Sequence, residues 1–146
     1  MAQGDGPLWV PGENPKESQF SVYGSGHVGI FGSIIRKTNV EGILQLNLLA
    51  TDFFRDKAYP TYLYYNPFDS EKTVAVKTTK NKKVDLYDTV SGKFIARNVA
   101  ASSHIKVSGG NAAVIVLVPA KGKITYQDNK MLVNGIVIDY HAQLKK

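Results

Sequence analysis

Cysteine is absent from the 146-residue chain. That excludes disulfides, thiolate metal sites and cysteine nucleophiles, and it leaves the redox compartment undecided. Imidazole is scarce as well: His27, His104 and His141 are the only histidines, and their spacing matches no compact metal motif. No cofactor and no metal is expected. No apolar run approaches the roughly 18 residues of a membrane-spanning helix, and the longest, 112–118, has the length of a strand. The chain is therefore expected not to span a bilayer. Its first residues, Met1-Ala2-Gln3-Gly4-Asp5-Gly6-Pro7, have neither the basic region nor the apolar stretch of a secretory signal. Arginine is also in short supply. Arg36, Arg55 and Arg97 are the only guanidinium groups among 18 basic residues, although the formal net charge is +6. Nucleic-acid readers lean on arginine for bidentate contacts, so no nucleic-acid partner is expected. The densest basic cluster, Lys77, Lys80, Lys82 and Lys83, reads as a solvated loop in preference to a phosphate-binding footprint.

What the chain does contain is the composition of a folded protein, 43% apolar and 21% charged, in a length suited to one domain with an added segment. Up to about residue 18 the breakers Pro7, Pro11, Pro15, Gly4, Gly6 and Gly12 prevent any regular element from propagating. The sole tryptophan, Trp9, lies in this tail and needs something to pack on. Val28, Ile30, Phe31, Ile34 and Ile35 fall at three- and four-residue spacings, with Arg36 and Lys37 following, which predicts a short helix over 27–37. The run 43–49 is compatible with a strand or a helix, and the alternation of Leu44, Leu46 and Leu48 favours the strand.

After Pro60 the period becomes two. Runs at 61–68, 73–79, 84–90, 93–99, 104–108, 123–127, 131–134 and 136–141 are each strand-length and bounded by turn residues. Ser91-Gly92 marks a tight hairpin, with further turns at Asp128-Asn129-Lys130 and near Gly135. The continuously apolar run 112–118 predicts a central strand covered on both faces. The fold class is thus mainly β: an antiparallel β-sandwich over 51–146, preceded by a tail and short helical segment over 1–50.

Gly24-Ser25-Gly26-His27-Val28-Gly29 matches the dinucleotide spacing G-x-G-x-x-G. No buried strand precedes it and no alternation of strands and helices follows, so close packing of a glycine-rich loop outweighs nucleotide binding. His27, beside flexible glycines, is a weak ligand-binding candidate. Tyr62 and Tyr64 are the others. Strand alternation puts them on one face, where exposed rings would stack on sugars and buried ones would pack against a neighbouring domain. Glu41, Asp52 and Asp56 are the carboxylates around the leucine-rich middle of the chain, and glycosidase chemistry would need two of them converging on one bond. No Ser-His-Asp order, H-E-x-x-H, P-loop or calcium-loop pattern occurs.

Three stretches carry a resemblance: Tyr23-Gly24-Ser25-Gly26-His27-Val28-Gly29-Ile30-Phe31-Gly32, Ala50-Thr51-Asp52-Phe53-Phe54, and Ala58-Tyr59-Pro60-Thr61-Tyr62-Leu63-Tyr64-Tyr65-Asn66-Pro67-Phe68. Val84-Asp85-Leu86-Tyr87-Asp88-Thr89-Val90-Ser91-Gly92-Lys93-Phe94 and Ala113-Val114-Ile115-Val116-Leu117-Val118-Pro119 extend it. In these the chain resembles the C-terminal end of large bacterial glycoside-hydrolase-like proteins, in which a six-hairpin (α/α) toroid is followed by a β-sandwich. The resemblance implies that residues before about 51 are the last remnant of a helical toroid, and that the sandwich props a catalytic helical domain. It also implies a carbohydrate substrate for the parent enzyme and a periplasmic or extracellular home. It carries over no catalytic residue. The chain alone is therefore expected to be a noncatalytic accessory sandwich, with a free-standing carbohydrate-binding module as the alternative and a polysaccharide as a further partner.

Overall fold

The computed structural model describes residues 31–78 and 82–142. The chain divides between Ile34 and Ile35. Of the first unit, the described residues 31–34 are helical. The second carries the strands β1 (Ile35–Lys37), β2 (Leu44–Asn47), β3 (Thr61–Tyr65), β4 (Lys72–Lys77), β5 (Val84–Asp88), β6 (Lys93–Val99), β7 (Ser102–Val107), β8 (Ala112–Pro119), β9 (Ile124–Gln127), β10 (Lys130–Val133) and β11 (Ile136–Asp139). All pairings are antiparallel, and the fold is mainly β and sandwich-like, with one short helix ahead of the strands.

A six-stranded sheet in the order β1-β2-β3-β8-β5-β6 holds the middle, beside a three-stranded sheet β11-β10-β9 and the pair β4-β7. The apolar run of β8 is explained by its place. Ala113, Ile115 and Leu117 point into one core with Tyr64, Leu86 and the β4-β7 residues Val74, Val76, Ile105 and Val107. Val116 and Val118 point into a second core with Tyr87 and the β10-β11 residues Met131, Val133 and Ile138. A strand with apolar neighbours on both sides has no polar face to alternate with, hence the unbroken apolar sequence.

Turn chemistry sets the register of the small sheet. Asp128 and Asn129, at φ of 47° and 64°, join β9 to β10, and Asn134 and Gly135, at 49° and 78°, join β10 to β11. Left-handed backbone at both central residues is the geometry of the two-residue hairpin whose twist matches its strands. The pairs Gln127 with Lys130 and Val133 with Ile136 follow from it.

One expected element is replaced. The helix predicted over 27–37 ends at Ile34, and Ile35–Lys37 form β1; residues 27–30 lie outside the described residues. The spacing of Ile34 and Ile35 fits either period, and pairing decides: Ile35 meets Leu46 across the hairpin. The hairpin's turn is fixed by Thr38, whose hydroxyl lies 2.7 Å from the Ile43 carbonyl and accepts the Val40 N–H at 3.1 Å. Residues 35–47, grouped above with the tail, thus supply two strands of the six-stranded sheet.

Because Ile115 is fully buried at the centre of the first core, Ile115→Ala is expected to lower stability by about 2–5 kcal/mol. Ile95→Ala, on the exposed side of β6, should stay within about 0.5 kcal/mol. Urea unfolding of both variants measures the contrast.

Candidate functional site

His27 lies outside the described residues. Tyr62 and Tyr64 share one face of β3, as alternation requires, but that face is turned into the protein. Tyr64 is 0% exposed, and its hydroxyl accepts a hydrogen bond from Gln45 Nε2 at 2.6 Å. Burial pushes its pKa up to about 12, with the Gln45 bond opposing the shift. Tyr62 is half-buried against the same core. Tyr64, fully buried, has no face open for stacking on a sugar, whereas Tyr62 is only partly buried and lines two surface depressions. Tyr65, pointing to the other face, is exposed.

Every buried polar side chain in the sheets is committed to holding backbone or a neighbouring strand. Asp88 is the anchor of the β5-β6 turn: its Oδ1 accepts the N–H groups of Val90 at 3.1 Å and Val114 at 3.0 Å, and its Oδ2 accepts that of Ser91 at 3.0 Å. Asp85 faces the irregularity in β6, accepting from Asn98 N–H at 2.7 Å and from Arg97 at 2.9 Å. Arg97 in turn lies over the Phe94 ring, which meets Tyr87 edge-on. Tyr87 donates to Asp139 Oδ2 at 2.8 Å, bonding the large sheet to the small one. Asn66 donates to the carbonyls of Ser70 and Val107 and accepts from Phe68 N–H. Among the described residues only one buried side-chain polar atom, Thr78 Oγ1, lacks a partner. These carboxylates were not singled out in the sequence, although Asp88, four residues before a turn glycine, carries the signature of an Asx turn.

A cavity of about 820 Å³ is lined by residues between 49 and 61, by Thr89 and Val116, and by β11 and its flanks. Asp52 and Asp56 both line it, beside Arg55 and Lys57. Both come from the one loop, and Glu41 lies elsewhere. Across the cavity Gly135, Ile136, Val137, Ile138 and Tyr140 offer no free carboxylate, while Asp139 is buried and held by Tyr87 and His141 N–H. Hydrolysis of a glycosidic bond requires an acid on one side and a base or nucleophile on the other; the two carboxylates that line this cavity stand four residues apart on one loop. Among the described residues no group of three metal-ligating side chains converges.

Two further features lie on the β1-β2-β3 side. The first is the loop after β2, where Arg55 donates to the carbonyls of Leu49, at 3.1 Å, and of Asp52. So tied, the loop holds Phe53 80% exposed and Phe54 wholly exposed. The second is a groove of about 320 Å³ whose lining includes Arg36, Lys37 and Lys77. Tyr62 lines this groove and also a depression of about 400 Å³ beside Phe53.

The tyrosine shifts have a stability consequence. Tyr64 and Tyr87 are both held protonated above the ordinary tyrosine value of 10.0, chiefly by burial, and Tyr87 also by its bond to Asp139. Above that value the unfolded chain releases these protons while the folded chain keeps them. The contribution is therefore complete below about pH 10 and is lost as pH rises toward the folded values. Urea unfolding at steps between about pH 9 and about pH 11 is expected to give a steeper decline in the wild type than in Tyr64→Phe/Tyr87→Phe. Equal slopes would remove the tyrosines from the account.

In comparisons with protein-family models, with curated proteins and with solved structures, the chain matches none.

Proposed function

We propose that this chain is a noncatalytic accessory β-sandwich of a carbohydrate-active enzyme, a glycoside hydrolase, and that it works by docking on that enzyme's helical catalytic domain. The observation that carries the reading is the Phe53-Phe54 loop. Adjacent phenylalanine rings left in water cost hydration free energy, and a side chain that ties the loop in that shape removes the option of folding them under. Arg55 is that tie. Leu48, at the end of β2, is exposed beside the loop. On the neighbouring sheet face Leu44 of β2 is exposed, and so is Tyr65 of β3, next to the buried Tyr64. Exposed apolar side chains of this size are what a domain interface covers.

The buried carboxylates support the noncatalytic half of the reading, since each is occupied by backbone N–H groups or by a structural partner. The catalytic partner and its carbohydrate substrate come from the sequence resemblance.

The test is co-expression with the helical hydrolase domain of the parent enzyme, followed by gel filtration and a reducing-sugar assay. The pair is expected to co-elute and hydrolyse a polysaccharide, with no sugar released by this chain alone. Phe53→Asp/Phe54→Asp should weaken association by roughly 30-fold or more for each ring, without moving the thermal melt. Separate elution of the wild-type domains, or hydrolysis by this chain alone, would sink the reading. The same surface should make the isolated chain self-associate as its concentration rises, an effect abolished by the double substitution and read by sedimentation equilibrium.

A further inference from the structure

We infer that the groove between β1, β2 and β4 binds the acidic group of an anionic polysaccharide, a uronate carboxylate or a sulfate ester. The inference rests on the carbohydrate reading above only for the class of ligand; the site itself follows from the charges and their framework. Arg36, Lys37 and Lys77 line one groove, together with Asn39, Gln45 and Tyr62, and no carboxylate among the described residues lines it. The two ion pairs among the described residues, Arg97 with Asp85 and Lys106 with Glu71, leave all three cations without an acidic partner. Like charges gathered around one concavity raise the potential within it, and an anion placed there relieves their repulsion. The larger cavity differs, because its Arg55 and Lys57 are matched by Asp52 and Asp56.

The framework beneath the cations is fixed before any ligand arrives. Asn39 Oδ1 accepts the Ala75 N–H at 2.7 Å, and its Nδ2 donates to the Thr73 carbonyl at 3.2 Å, so the turn after β1 is fastened along the free edge of β4. Gln45, which lines the groove, donates to the Tyr64 hydroxyl. Arg36 and Lys77 therefore stand on strands already joined, and binding orders only the ends of their side chains. The volume, about 320 Å³, lies at the small end of the ~300–1,000 Å³ span of small-ligand sites, suited to one charged sugar residue of a longer chain. The Tyr62 hydroxyl and Gln45 Oε1 have no partner among the described residues and can bond sugar hydroxyls. A nucleic-acid strand fits less well. The groove has a single aromatic ring, Tyr62, half-packed on the core, whereas single-strand binders stack successive bases on several exposed rings.

Affinity electrophoresis and titration calorimetry of the purified chain against polygalacturonate, dextran sulfate, neutral dextran and single-stranded DNA test this, at about 50 and about 200 mM salt. The acidic glycans are expected to bind and neutral dextran not to. Arg36→Ala and Lys77→Ala should each weaken binding about tenfold. Lys93→Ala/Lys123→Ala, removing charge outside the groove, should weaken it less than about twofold at the higher salt. Preference for polygalacturonate or for dextran sulfate distinguishes carboxylate from sulfate as the group held. Equal losses in the groove and remote variants, DNA binding as tight as the glycans, or no glycan binding by a chain with wild-type circular dichroism would each overturn the inference. None of those outcomes touches co-elution with the catalytic domain, so the docking reading and the groove stand or fall separately.

Discussion

The constraint on which the rest of the structure depends is the burial of β8 on both faces. Its residues feed two separate cores, Ile115 and Leu117 into one and Val116 and Val118 into the other. Each such side chain contributes about 1.5–3 kcal/mol when removed from water, and each needs its own covering layer. The β4-β7 pair and the β9-β10-β11 meander are those layers. The six-stranded sheet cannot remain a sheet without both, because an uncovered face of β8 would present valine or isoleucine to water along its whole length.

Apolar burial alone does not position the layers, and the buried polar groups complete the job. Tyr87 to Asp139 is a directional bond between the large sheet and the meander. Asp88 ties the β5-β6 turn to β8 through the N–H of Val114. A buried carboxylate left without donors would cost several kcal/mol, so these residues also select against other registers. Asp85, Asp88 and Asp139 are each engaged by backbone N–H groups or by a neighbouring side chain, so their first task is to hold strands and turns in place.

Much of the fold was legible in the sequence after Pro60, because strands with one polar face announce themselves by period two and because Asn134-Gly135 and Asp128-Asn129 are turn formers by their own backbone preferences. The double burial of 112–118 was legible as an unbroken apolar run. Ile35–Lys37 was misread because three residues are too few to display a period, and only the partner strand, reached through a turn held by Thr38, decides the matter. The site was less legible than the fold. Alternation correctly placed Tyr62 and Tyr64 on one face of β3, yet it could not say whether that face met water. Tyr64 lies inside because β4 and β7, distant in sequence, close over it. The groove cations were hidden for a related reason: Arg36 and Lys77 are separated along the chain, and the Asn39 bonds to β4 are what bring their strands together.

Tyr62 joins the two surface features of the β1-β2-β3 side. Its ring packs on the first core while its edge borders both the depression beside Phe53 and the cationic groove. A tyrosine so placed stands as a partition between the two depressions, its apolar body packed against the core. A partner covering the phenylalanine loop would therefore lie against one side of a rigid wall and leave the groove open on the other. A polysaccharide chain held by its charge in the groove would then run beside the docked domain without competing for the same surface. One small sandwich thus carries an apolar surface feature and a charged one on the same side, with Tyr62 standing between them.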